Sequence, residues 1–203
     1  GSLHGRPSGP SFGAVHSPHS WCPTGQAHVE NYAFEWELKM AKLGFGGGCH
    51  WCTEGVFQAL RGVAQVDQGF VQAGAPADTW AEGVIVTFDP SVIGLATLSE
   101  VHLRTHSATR ARSPRGKYRS AIYIFEDSQR HEAELVIARF AIESGKAVHT
   151  LVVPFRSFRA SEERYQNYYR NDPNRPFCRR YIDPKLDFIR QHFSEVALPD
   201  ART

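Results

Sequence analysis

The chain predicts an α+β domain whose mixed, mainly antiparallel sheet is of ferredoxin-like type with flanking helices, and three observations point there. Its 203 residues are enough for one well-buried core. Apolar residues mark five strand-like runs, and four helix-like stretches separate or follow them in the order βαββαβαβα. Hydrophobic residues make up 41% and charged residues 22%, as in ordinary globular proteins.

The same composition excludes some function classes. No apolar run is long enough to cross a bilayer, so no membrane role is expected. Lysine and arginine number 23 against 21 acidic residues and form no stripe, so no nucleic-acid partner is expected. Four cysteines are too few for a disulfide scaffold in a chain this size, which points to reactive or metal-binding thiols. A monomer is expected, in the cytoplasm or another reducing compartment.

Residues 1–27 are rich in Gly, Ser, Pro and His without periodicity and predict a disordered leader, within which only Trp21 and Cys22 have reason to dock. Gly1 and Ser2 stand in place of an initiator methionine and read as an expression scar. Residues 28–203 are expected to form a single domain. Residues 38–45 alternate as a strand, Gly46, Gly47 and Gly48 break it, and a helix is expected over 51–60. Strands follow over 63–71 and 83–88, the second closed by Asp89-Pro90.

A helix over 97–105 is expected to bury Leu98, Val101 and Leu103. A strand over 121–125 precedes a helix capped at Asp127 or Ser128, running to 144 and stopped by Gly145. A last strand over 149–153 ends before Pro154, and a helix over 161–170, its tyrosines turned to the body, ends before Pro173. Beyond it the periodicity is weak.

The sharpest local feature is Gly46-Gly47-Gly48-Cys49-His50-Trp51-Cys52-Thr53-Glu54. It places Cys49 at a helix N-terminus, where the macrodipole and free N–H groups favour thiolate over thiol. Other readings are a buried small hydrophobe, a zinc ligand from Cys49-x-x-Cys52, or dithiol exchange through that pair. The zinc reading lacks the second close pair of ligands it needs. His50, Trp51 and Glu54 fall on one helix face, giving an aromatic wall and a carboxyl, although Glu54 can equally serve as an acid complementing the helix start.

At these residues the chain resembles the A-type peptide methionine sulfoxide reductases, in which Gly-Cys-Phe-Trp opens the active-site helix. The resemblance continues through residues 84–90, Gly116-Lys117-Tyr118-Arg119-Ser120-Ala121-Ile122-Tyr123 and residues 162–168, covering roughly 39–186. It implies that Cys49 attacks the sulfoxide sulfur, Glu54 donates a proton to the departing oxygen, and Tyr118 hydrogen-bonds that oxygen. It further implies a Cys49 sulfenic acid that a second thiol condenses with. Cys178 on the C-terminal segment is the expected resolving cysteine, with Cys52 as the alternative, a relay or a structural thiol. No bound cofactor or metal is implied, only a dithiol reductant such as thioredoxin or dithiothreitol.

The chain departs from the family pattern where the substrate would sit. His50 replaces a phenylalanine, Gly69-Phe70 replaces Gly-Tyr, the loop from Phe70 to Trp80 is shortened, and Ser113-Pro114-Arg115 stands where an acidic residue is usual. His50, Trp51 and Phe70 are thus the expected substrate-binding residues. A methionine S-sulfoxide, free or in a protein, is the expected substrate. The polar wall predicts a preference for sulfoxides with a polar or anionic group near sulfur. Another small sulfoxide handled by the same chemistry, or a non-catalytic thiol redox sensor, are the competing readings.

Overall fold

Strand β1 (Ala41–Gly46) pairs antiparallel on both sides, with β3 (Ala81–Phe88) and with β4 (Ala121–Ile124), in a computed structural model that describes residues 40–200. The expected leader, with Trp21 and Cys22, lies outside the described residues. Strand β3 also pairs with β2 (Val63–Ala73), β2 with β5 (Leu151–Ala160), and β5 runs parallel to β4, closing the ring β1-β3-β2-β5-β4. The α+β class and the mainly antiparallel pairing agree with expectation, whereas the ferredoxin-like sheet gives way to a closed five-stranded barrel. The physical reason lies in β2, whose eleven residues carry a register irregularity at each end, between Val63 and Gln65 and between Gln72 and Ala73. Bulges raise the local twist and bend a strand, which lets a sheet curl until its edges meet.

Strand alternation sorts the side chains into two sets. Leu43, Phe45, Val84, Val86, Ile122 and Ile124 join the core that also holds Val56, Phe57 and Leu60 around helix α1 (His50–Gln58). Ile85, Tyr123, Val71 and Val153 form a second cluster made of strand and loop residues. Helix α2 (Leu95–Thr105) buries Leu98, Val101 and Leu103 as expected and packs on α3 (Ser128–Ser144), which starts after Asp127 and stops at left-handed Gly145 (φ 63°).

Two expectations in the C-terminal third are corrected. Strand β5 does not end before Pro154 but continues to Ala160, because from Phe155 onward it pairs with β2. The helix expected over 161–170 is instead a 3₁₀ turn (Glu163–Tyr165) and one short helical turn, α4 (Tyr168–Asn171), separated by Asn167 at φ 53°. Beyond it, where no element was expected, a π-helical turn (Cys178–Ile182) leads into α5 (Asp183–His192); the turn buries Ile182, and α5 buries Leu186 and Ile189, in the core shared with α1.

Candidate active site

Cys49 is the residue that caps the N-terminus of α1, in extended conformation (φ −63°, ψ 127°), just past the glycine turn. The turn is shaped by packing: a side chain on Gly47 would collide with the His106 ring, while one on Gly48 would meet nothing. His106 is held in place by Ser120 Oγ at 2.7 Å, which in turn meets Thr150 Oγ1 at 2.8 Å. The expected thiolate at Cys49 has two sources. The Cys52 thiol donates to its sulfur, and the backbone N–H groups of Trp51 and Cys52 add to this; together they outweigh burial and nearby Glu82 and lower the Cys49 pKa. Cys52, as the donor of that bond and half-buried, is pushed far up.

A cavity of about 660 Å³ opens beside Cys49, bordered by His50, Trp51, Phe70, Glu82 and Tyr118 among others. Trp51 forms one wall, stacked on Tyr168 (centroids 4.2 Å apart, 4° between planes) and edge-on to Phe177 at 5.6 Å. Its buried Nε1 has no hydrogen-bond partner among the described residues. The His50 ring sits edge-on to Phe70 at 5.6 Å, and its Nδ1 lies 3.0 Å from the Gly69 carbonyl oxygen, so that nitrogen carries hydrogen and donates. His50 Nε2 is left on the side of Glu82, 3.9 Å from Oε2. Cross-strand pairing sets Arg159 opposite Phe70, and its guanidinium lies over the rings of Phe70 and Trp80 at 5.2 and 5.1 Å.

The structure brings Cys49, His50, Trp51, Phe70 and Tyr118 together, but not Glu54. Its side chain is fully buried on another side of α1, where its two oxygens accept the backbone N–H groups of Asn167 (2.7 Å) and Tyr168 (2.9 Å). Burial raises the Glu54 pKa against those two bonds and the Arg170 charge. These bonds hold the break between the 3₁₀ turn and α4 that replaced the expected helix, so Glu54 shapes the wall carrying Tyr165 and Tyr168.

Two carboxyls border the cavity, exposed Glu162, which pairs with Arg164, and buried Glu82, 5% exposed, which the sequence reading missed. Glu82 shares a strand face with Val84 and Val86, the face that α1 covers, and so reaches the start of that helix: Oε2 accepts the His50 N–H at 3.1 Å. Its Oε1 meets Lys117 Nζ at 2.9 Å. The signal was present: extending the expected strand at 83–88 two residues upstream puts an acidic residue on its buried face, where a carboxylate is rare without a task.

Tyr118 owes its place to its neighbours. The Lys117 carbonyl accepts the Glu82 N–H at 2.8 Å, and the fully buried Arg119 spends its guanidinium on carbonyls of Val71, Ala77, Thr79 and Pro114 and on Tyr123 Oη (2.9 Å). This one side chain ties the loop after β2 to the loop before β4. Cys178 is not on a loose tail: it is fully buried at the start of the π-helical turn, its thiol directed to the Asp172 carbonyl at 3.6 Å and pushed up in pKa by burial. Among the described residues no group of three or more His, Cys, Asp or Glu side chains is placed to hold a metal ion.

The family model described as peptide methionine sulfoxide reductase matches residues 41–197. The peptide methionine sulfoxide reductase MsrA of Sulfolobus acidocaldarius is 34% identical over 166 residues, 75% of this chain and 94% of that protein. The MsrA of Deinococcus radiodurans is 34% identical over 167 residues, 74% and 81% of the two chains. Among solved structures, reduced Mxr1 from Saccharomyces cerevisiae shares the fold with a TM-score of 0.62 at 23% identity, over 70% of this chain and 90% of that one. Mxr1 in complex with Trx2 has a TM-score of 0.52 at 21% identity, over 64% and 86%. From a family match that spans most of the sequence and relatives covered almost end to end, the chain belongs to the peptide methionine sulfoxide reductase family.

Proposed function

We propose that this chain reduces a methionine S-sulfoxide, free or in a protein, by attack of the Cys49 thiolate on sulfur. The observation that carries this reading is the convergence of Cys49, Glu82 and Tyr118 on one cavity with an aromatic wall. As the sulfur–sulfur bond forms, charge builds on the sulfoxide oxygen, and donors already in place lower the barrier without reorganising. Tyr118 Oη serves as such a donor, and Glu82, in contact with Lys117, is the group that relays a proton to the oxygen. Trp51 and Phe177 receive the apolar part of the substrate. The protonated oxygen passes to the Cys49 sulfur as the sulfur–sulfur bond breaks, which leaves methionine and a Cys49 sulfenic acid.

The second thiol in this reading is Cys52. Its thiol lies beside Cys49 and helps to lower the Cys49 pKa, both cysteines border the same small cavity, and Cys-x-x-Cys at a helix start is the spacing of dithiol exchange. Cys178 is buried in a packed turn with its thiol directed to the Asp172 carbonyl, and it borders neither cavity that Cys49 does. Attack of Cys52 on the sulfenic acid expels water and forms the disulfide, which a dithiol of the thioredoxin type reduces. The yeast Mxr1–Trx2 structure supports that class of reductant. No helix among the described residues is long and apolar enough to cross a membrane. We take the enzyme to work as a monomer in the cytoplasm or another reducing compartment, where its thiols are kept reduced.

The test is a set of cysteine variants under single and multiple turnover. Cys49→Ser should abolish reduction, and Cys52→Ser should yield one methionine per enzyme and a dimedone adduct on Cys49. Cys178→Ser should recycle through thioredoxin like wild type. If Cys178→Ser instead stops after one turnover while Cys52→Ser recycles, the resolving role passes to Cys178.

A further inference from the structure

Cys49 borders two cavities. The larger is the one described above; the second, about 150 Å³, is bordered by Cys49 and by Cys52, which does not reach the first. No acidic side chain lines the second cavity, whereas Lys185 from the first turn of α5 and Arg112 both do. Lys185 donates to the Thr105 carbonyl and lies near enough to the thiols for its charge to favour the Cys52 thiolate. Arg112 Nε is buried there without a hydrogen-bond partner among the described residues. The two imidazoles of this region, His102 and His106, are kept neutral by burial, His106 with its pKa pushed down to about 4. The cavity therefore joins a net positive field to the sulfur of a thiol that the substrate side does not expose.

Resting on the reading that Cys49 and Cys52 form the disulfide, we infer that this second cavity admits the reductant, and that Lys185 and Arg112 guide an incoming thiolate onto the Cys52 sulfur. The thiolate forms a bond to Cys52 Sγ as the Cys49–Cys52 bond breaks, and Cys49 leaves as the thiolate that the N–H groups of Trp51 and Cys52 favour. A second thiol, from the same dithiol or another molecule, attacks the sulfur of the reductant in the mixed disulfide. Cys52 leaves as a thiolate beside Lys185 and takes up a proton. Two thiols are oxidised to one disulfide, the protein disulfide is reduced to two thiols, and the sulfoxide never shares the opening. Lys185 and Arg112 are positioning residues in this scheme, since they touch neither the sulfoxide nor its oxygen.

The experiment starts from isolated oxidised enzyme, with the disulfide assigned by peptide mapping. Its reduction is timed with 2-mercaptoethanesulfonate, 2-mercaptoethanol and cysteamine, the rates corrected for the thiolate fraction of each. Wild type should favour the anionic over the cationic thiol by about 10-fold. Lys185→Gln and Arg112→Gln should each remove most of that preference, Lys185→Arg should retain it, and single-turnover oxidation of all three reduced variants by sulfoxide should stay within about twofold of wild type. A thioredoxin arm identifies the source: a matching loss in Lys185→Gln means the protein dithiol uses this opening, and loss confined to small thiols assigns it to a small thiol. An unchanged charge preference in both glutamine variants, or equal losses in oxidation and reduction, overturns the inference while leaving the Cys49–Cys52 disulfide in place. A mapped Cys49–Cys178 bond overturns both readings together.

Discussion

Exchanging Glu54 and Glu82, one at a time, for glutamine tests the assignment of Glu54 to the fold and of Glu82 to the proposed reaction. In Glu54→Gln one oxygen still accepts an N–H from Asn167 or Tyr168, but the new amide group presents a donor to the other. Losing one charge-assisted bond and stranding a buried donor costs about 1.5–3 kcal/mol. A neutral amide is cheaper to bury than a carboxylate, which offsets part of this and leaves a net loss of about 1–2 kcal/mol. For a chain of this size that is a fall in Tm of about 2–8 °C. Glu82→Gln keeps an acceptor for the His50 N–H and faces the exposed Lys117, so its stability should change by less than about 1 kcal/mol. Its cost is kinetic: removing a proton donor slows the chemical step roughly 10²- to 10⁴-fold. Thermal unfolding and rapid-quench measurement of one methionine per enzyme at 25 °C provide both numbers. The assignment is refuted if folded Glu54→Gln loses about 100-fold or more in the quench while Glu82→Gln retains wild-type rate.

Three further outcomes are expected. Because the Cys52 thiol lowers the Cys49 pKa, Cys52→Ala should move the pH inflection for Cys49 alkylation by iodoacetamide upward, and Cys52→Ser, which keeps a donor, should move it less; an unmoved inflection would assign the activation to the helix start alone. His106 is neutral in the folded chain down to pH about 4 while its ordinary value is 6.5, so the unfolded chain takes up the proton first and stability falls as pH drops through that window. His106→Gln should flatten this fall in urea unfolding between pH 7 and 4, and a curve parallel to wild type would contradict it. His50 Nε2 and Arg159 give the large cavity polar groups beside its aromatic rings, while its Lys117 is paired with Glu82, which favours a sulfoxide bearing a polar group; the His50→Phe, Phe70→Tyr double variant should shift kcat/KM toward plain methionine sulfoxide by about 10-fold, and no shift from a wild type that already prefers methionine sulfoxide would end the specialised-substrate idea.

The sequence by itself determined the α+β class, helix α2 with its buried face, helix α3 with its Gly145 stop, and the position of Cys49 at a helix start. Each of these rests on local periodicity or on a residue with a narrow conformational role. Tyr118, His50, Trp51 and Phe70 were legible as candidates through motif resemblance, and the cavity unites them. Barrel closure was not legible, because it depends on which edges β1 and β2 offer to distant partners and on irregularities that leave no pattern in the alternation. Helix α5 was overlooked although Ile182, Leu186, Ile189 and Phe193 carry a helical spacing behind Asp183-Pro184. Which of Glu54 and Glu82 borders the cavity was a tertiary decision. Glu54 and Glu82 are each compatible in sequence with an acid beside Cys49, but one turn of α1 carries Glu54 to the backbone of Asn167 and Tyr168, while the pleat of β3 carries Glu82 under the helix start. The same holds for the thiols: nearness in sequence did not choose between Cys52 and Cys178, and only the tertiary packing shows that Cys178 is enclosed in the π-helical turn while Cys52 borders the smaller cavity beside Cys49.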